Sequence, residues 1–280
     1  MIPCISYWAM EHGLAGTHSV EVAIDSAQAA GFVGIELAIG GSAFPIDVTK
    51  ARCQEIRRYL TSRNMVCETL ACGATWGANP ASNDPAIRAL SIEQHSAALE
   101  RAGWLGCKAM LMVPGVVGSP ITPNEHVRYD HAIQRVREAM TKLLPVAERA
   151  GVDLCLENVW NGMFYSPLEL IQFIDSFSSK RLGIYFDIGN GLGLHQDPAH
   201  WIELLGKRIR RIHAKDFKHA FNWQGTYDFC QIGEGDVRWS EVMAALRAVG
   251  YTSTVVAEVM PWSPGHLERT SKALTKALAA

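Results

Sequence analysis

Four polar residues stand where apolar runs end, and they carry the chemistry that this chain can offer. Glu157 follows Val-Asp-Leu-Cys-Leu, Asp187 follows Leu-Gly-Ile-Tyr-Phe, His213 follows Ile-Arg-Arg-Ile and Glu258 follows Thr-Val-Val-Ala. Residues two apart on a strand share a face. Cys155 therefore sides with Glu157, Tyr185 with Asp187, and Thr254 and Val256 with Glu258, while the aliphatic residues between them take the other face. Arg211 has the parity of His213, so it has to be neutralised on the same side or the strand has to twist there. Three carboxylates and an imidazole gathered at one point repel unless positive charge lies among them, which calls for one divalent metal ion. Oxygen-rich ligation with a single histidine suits Mn²⁺, Mg²⁺ or Co²⁺ better than a closed structural zinc site. Taken singly, a carboxylate at a strand end is more often a helix cap or an ion-pair partner and a lone histidine more often a satisfied core residue; the set of four on consecutive strands is the signal.

Such a set needs strands that all end at one rim. Strands are expected at Pro3–Tyr7, Val33–Ala38, Met65–Leu70, Lys108–Val113, Val152–Asn158, Leu182–Asp187, Ile209–His213 and Thr254–Val259. Helices are expected between and after them at Ser19–Ala30, Ile46–Arg63, Pro85–Ala102, Asn124–Ala150, Ser166–Phe177, Pro198–Leu205, Trp239–Val249 and His266–Leu278. Gly31, Gly103, Gly151 and Gly250 stand where a left-handed cap would release each helix, and Asp84-Pro85, Ser166-Pro167 and Asp197-Pro198 mark helix starts. Eight strand-helix units with no linker-like tract predict an α/β fold with a single (β/α)8 TIM barrel over residues 1–280, whose active site lies at the C-terminal strand ends. An open doubly wound sheet is the other arrangement, but no GxGxxG or GxxxxGK[ST] motif is present to support it.

Composition excludes several classes. With 280 residues, 48% hydrophobic and 19% charged, the chain can fill a sizeable core and is not disordered. Its 26 Lys and Arg nearly balance 28 Asp and Glu, for a net charge of -2, so no general field attracts nucleic acid or an anionic membrane. Neither is expected as a partner. Seven cysteines without a CxxC pair, no apolar run near the roughly 18 residues of a span, and a start without signal-peptide character are read as cytoplasmic.

The motifs Leu-Glu-Asn at 156–158, Phe-Asp-Ile-Gly-Asn at 186–190, His-Ala-Lys-Asp at 213–216, Ile-Gly-Glu-Gly-Asp-Val at 232–237, Gly250-Tyr251 and Ala257-Glu258 occur in an order that resembles the sugar phosphate isomerase/epimerase family of xylose isomerase-like barrels. The resemblance covers nearly the whole chain. It implies a metal held by Glu157, Asp187, His213 and Glu258, with Glu157 and Glu258 also acting as acid and base in ketose 3-epimerisation through an enediolate. Proton return to the neighbouring carbon would instead interconvert aldose and ketose. The substrate is expected to be a small carbohydrate, free or phosphorylated, and the assembly a homodimer or homotetramer. Lys215, Asn190, Glu36 and Trp160 are the expected substrate contacts, with Tyr7, Trp8 and Trp76 as further pocket aromatics. Lys218, His219 and Arg238 beside Gly233 and Gly235 offer a phosphate neighbourhood or a solvated surface. Two departures fall on substrate contacts: Asn190 replaces a histidine found in some members, and Tyr227-Asp228 replaces an arginine. Other readings of the same barrel are a lyase or dehydratase of keto-sugars or keto-inositols, a zinc endonuclease acting on DNA, and a non-catalytic sugar-binding barrel. The scattered histidines disfavour the endonuclease.

Overall fold

Parallel neighbours cannot be joined by a tight turn, so each strand needs a crossover, and a helix laid on the outside of the sheet supplies it. The computed structural model describes residues 1–119, 121–122, 125–219 and 227–280. Its elements run β1 Ile2–Ser6, α1 Val20–Ala29, β2 Gly34–Ile39, α2 Lys50–Ser62, β3 Thr69–Cys72, α3 Pro85–Leu105, β4 Ala109–Met112, α4 Tyr129–Ala150, β5 Asp153–Glu157, α5 Pro167–Asp175, β6 Leu182–Asp187, α6 Pro198–Leu205, β7 Ile209–Ala214, β8 Asp216–His219, β9 Tyr227–Cys230, α7 Trp239–Ala248, β10 Thr254–Ala257 and α8 His266–Leu278. Strands β1 to β7 lie side by side in chain order and β10 closes the ring between β7 and β1, which makes a (β/α)8 barrel. The antiparallel pair β8 and β9 is an addition after β7.

The expected order of elements holds, and the boundary differences have local causes. Strand β3 begins four residues later than expected, because Met65–Glu68 form an approach tied to β2 by a single bridge between Gly34 and Val66. Helix α3 runs two residues past Gly103 to Leu105 and is capped by Gly106 at φ 91°. Gly103 serves packing instead: a Cβ there would lie 2.8 Å from the Ala150 carbonyl at the end of α4. Asp84 and Asp197 accept bonds from the amides of Ala86 and Ala199, but Ser166 makes no side-chain cap. Helix α4 starts at Tyr129, and the expected start at Asn124 lies outside the described residues.

Two cores result. One fills the space between strands and helices, and a smaller one, formed by Ala109, Leu111, Cys155 and Tyr185, fills the barrel interior. A bulge opposite Ile184 and Tyr185 pairs them with Ile209 and Arg211, so Arg210 is the extra residue on β7. Buried Arg211 is neutralised by Glu68 at 3.3 Å, near the opposite end of β7 from His213. Among the described residues no helix is long and apolar enough to cross a membrane.

Behind β3 and β4, fully buried His95 donates from Nδ1 to the Ser91 carbonyl at 2.7 Å, and its Nε2 lies 3.2 Å from the Thr75 hydroxyl. Burial holds its pKa down at about 4, against 6.5 for a free side chain. The unfolded chain takes up this proton at higher pH than the fold does, so stability rises with pH between the two values and is lost as pH falls from 6.5 toward 4. The Tm should therefore fall across that window. His95→Gln should flatten the decline; equal slopes in both proteins would assign it to carboxylates instead.

Candidate metal centre

The parallel register brings four strand ends to one level. Glu157 is the last residue of β5, Asp187 the last of β6 and opposite His213 of β7, and Glu258 follows β10, with its amide bonded to the Ala214 carbonyl at 3.1 Å. All four side chains are buried, and one ligand atom from each lies within 4.8 Å of the others. Among the described residues this is the one such His, Cys, Asp and Glu group.

The imidazole of His213 is held from both sides. Its Nε2 lies 2.9 Å from Glu36 Oε1, while Nδ1 faces Glu258 Oε2 at 3.1 Å, Glu157 Oε1 at 3.3 Å and Asp187 Oδ2 at 3.8 Å. Glu36 in turn accepts from Ser6 at 3.2 Å, Thr69 at 3.0 Å and the Tyr185 hydroxyl at 2.5 Å. A carboxylate that accepts from Nε2–H fixes the tautomer that leaves Nδ1 free as a ligand. Asp187 is positioned by its own neighbours. Its amide donates to Asn158 Oδ1 at 2.8 Å, Asn158 Nδ2 returns a bond to its carbonyl at 2.9 Å, and the Asn190 amide donates to Oδ1 at 2.8 Å. Asp187 Oδ2 and Glu258 Oε2 make no well-formed hydrogen bond although both are buried. They face the Lys215 ammonium as a point charge, at 3.1 and 2.5 Å.

Charge separates the two glutamates. Burial pushes the Glu157 carboxyl up to about 7, helped by the negative charge of Glu258 and opposed by His213 and Lys215. Burial also acts to raise Glu258, but Lys215 and His213 outweigh it and hold that group down at about 2. For Lys215, burial favours the neutral amine, and Asp187, Glu258 and Glu157 overcome it and keep the ammonium charged well above its ordinary range. A donor set of three carboxylates and one imidazole, with two carboxylate oxygens lacking hydrogen bonds, fits a hard divalent cation. Glu157, Asp187, Glu258 and His213 Nδ1 would hold it.

Above the quartet opens a cavity of about 650 Å³ walled by Trp8, Trp76, Trp160 and Phe229 together with Val113, Val159, Ile121, Leu14 and Met260. Glu157, Glu258, Lys215 and Asn190 face it. Of the expected substrate contacts, Lys215, Asn190 and Trp160 thus line the cavity, and the Trp160 indole donates to the Asn190 carbonyl at 2.8 Å. Glu36 does not. It is fully buried beneath His213, because β2 continues three residues beyond it to Ile39 and leaves it one layer down. Tyr7 belongs to a neighbouring cavity, and its hydroxyl is spent on the His18 carbonyl. Lys215 pairs with Asp187 and Glu258, not with Asp216 or Glu234. Phe229 lies on β9, whose four residues carry no alternation strong enough to mark a strand in the sequence.

The profile described as Xylose isomerase-like TIM barrel matches residues 24–277, and the chain belongs to that family. Among curated proteins, it is 29% identical over 188 residues to an uncharacterised protein of Methanocaldococcus jannaschii, covering 64% of this chain and 60% of that one. It is 28% identical over 124 residues to 3-oxo-isoapionate decarboxylase of Pectobacterium atrosepticum, covering 43% and 44%. It is 25% identical over 182 residues to L-ribulose-5-phosphate 3-epimerase UlaE of Escherichia coli, covering 65% and 60%. The matches therefore span less than two thirds of these relatives' own lengths. Among solved structures, D-psicose 3-epimerase of Clostridium cellulolyticum H10 with D-tagatose superposes with a TM-score of 0.82 at 18% identity, over 99% of this chain and 98% of that one.

Glu36→Gln keeps the volume of the side chain and removes the charge facing His213 Nε2. Metal affinity, measured by competition with a chromogenic chelator, should fall about 10- to 100-fold with unchanged circular dichroism. Wild-type affinity in the variant would leave Glu36 a packing role only.

Proposed function

We propose that the chain is a divalent-metal-dependent enzyme that epimerises a ketose, or ketose phosphate, at the carbon next to the carbonyl. The observation that carries this is the placement of Glu157 and Glu258 at the two ends of the quartet, with Asp187 and His213 between them and their acidities driven apart. In the barrel, β5 and β10 are separated by β6 and β7, so the two carboxylates flank whatever is seated over the centre. Two carboxyls in one pocket with divergent acidities are the arrangement from which one accepts a proton and the other delivers one. A divalent ion bound there supplies the positive charge that polarises a carbonyl and offsets the negative charge that develops when the adjacent C–H ionises. One of Glu157 and Glu258 takes a proton from one face of that carbon and the other returns one to the opposite face, and the reverse reaction exchanges their roles. Lys215, held charged at 2.5 Å from Glu258, donates to a substrate oxygen and sets the position of that carboxylate. The aromatic walls exclude water and stack on sugar C–H faces.

Similarity to the UlaE epimerase supports this reading. Similarity to a decarboxylase of an oxo-sugar acid keeps a second one open, in which the same enolate chemistry ends in loss of a group rather than return of a proton. Mn²⁺, Mg²⁺ and Co²⁺ are the proposed ions. A homodimer or homotetramer in a reducing cytoplasm completes the proposal, and seven free cysteines are consistent with that compartment.

Proton NMR in D₂O, run on ketoses incubated with metal-loaded protein and with a chelator-treated control, should show metal-dependent deuterium uptake beside the carbonyl. The product distinguishes epimerase, aldose–ketose isomerase and lyase. Glu157→Gln and Glu258→Gln should each lower turnover by about 10²- to 10⁴-fold with the fold intact, and full activity in either would overturn the two-carboxylate mechanism. His213→Ala should weaken metal binding; unchanged affinity would remove it from the ligand set.

A further inference from the structure

We propose that the site takes an uncharged, unphosphorylated ketose, and that its far wall selects against a terminal phosphate. This rests on the reading of the centre as one that enolises a ketose. In barrels of this type a phosphate is commonly held by the loops after the seventh and eighth strands together with the backbone amides they present. Here the described residues of those loops are already satisfied from within.

After β7, the carboxylate of buried Asp216 takes up the amides of its own loop. It accepts from the amides of Gly233 at 2.7 Å, Phe217 at 2.8 Å and Val237 at 3.1 Å, and from the Trp239 indole at 2.9 Å. A side chain at Gly235 would run into the same carboxylate, so the loop is wrapped closely around it. The glycine-rich turn is therefore a closed internal cap, with the protein's own anion inside. The nearby basic groups are also engaged. Arg238 pairs with Asp197 and with Glu241 at 3.2 Å, and His219 pairs with Asp236 at 3.3 Å and lies 2.6 Å from the Leu192 carbonyl. Lys218 sits opposite Asp228 in the hairpin register, on the exposed face away from buried Phe217. After β10, Arg269 bonds the Pro264 carbonyl at 2.9 Å and Ser263 at 2.8 Å.

The cavity itself offers a phosphate little. Among the described residues lining it, Lys215 is the one cation, and Asp187 and Glu258 already neutralise it. Apart from Ser119, the rest of the described wall is aromatic and aliphatic, with Trp160 stacked on Phe229 at 5.0 Å between centroids. Among the described residues a dianion seated there would lose its hydration without gaining an unpaired cation, whereas the C–H faces of a neutral sugar gain stacking area.

Isothermal titration of Mn²⁺-loaded protein with two matched pairs, D-fructose against D-fructose 6-phosphate and L-ribulose against L-ribulose 5-phosphate, tests this directly. Each free ketose should bind roughly tenfold or more tightly than its phosphate. A phosphate that binds as well as its parent in either pair, or absence of binding by both free sugars, overturns the proposal. Deuterium exchange on the same four compounds separates this inference from the functional reading. Free ketoses that bind without exchange beside the carbonyl defeat the epimerase reading and leave the selectivity standing, while faster exchange on the phosphates does the reverse.

Discussion

The repulsion among three carboxylates buried at one end of a barrel is the constraint on which the rest of this structure depends. Glu157, Asp187 and Glu258 are removed from water, and an ionised group so placed is costly unless it is paired. The protein meets that cost with two cations, His213 and Lys215, one below the cluster and one at its side. Both are drawn so tightly into it that His213 faces three carboxylates through Nδ1 and a fourth, Glu36, through Nε2. This arrangement is stable enough to fold and still leaves Asp187 Oδ2 and Glu258 Oε2 without hydrogen bonds. A centre built this way is poised for a dication.

Layering follows from that constraint. The rim carries the four candidate ligands, and the layer beneath carries Glu36, Tyr185 and Thr69, whose hydrogen bonds fix the orientation of His213. Deeper still, Leu111, Cys155 and Ala109 give apolar fill, and Arg211 with Glu68 closes the far end as a second, separate ion pair. Each layer draws on several strands, so no strand can shift register without disturbing the centre. The single bulge on β7 is placed where it keeps both Arg211 and His213 inside.

The β8 and β9 hairpin adds a wall to the rim. Asp216 at its base ties the backbone amides and the indole of the following loop into one unit, which carries Phe229 over Lys215 and against Trp160. Among the described residues, charge is thus concentrated at the cavity floor, and the far side is walled by Trp160 and Phe229.

By itself, the sequence determined the alternation of strands and helices, the barrel, and the identity of the four residues at its mouth. These depend on local patterns: period-two apolar runs, helix caps, and a polar residue ending each run. Tertiary structure alone decided the pairings that bridge distant segments. Glu36 and His213 are 177 residues apart, and nothing local to either shows that one orients the other. Lys215 stands beside Asp216, yet the ring of strands turns it toward Asp187 and Glu258, and Asp216 instead toward the amides of its own loop. Gly103 reads as a helix end from its neighbours, but the contact between α3 and α4 made it a packing site. A pattern of residue types fixes which way a side chain faces along its own element; which charge it meets there is set by the closure of the barrel.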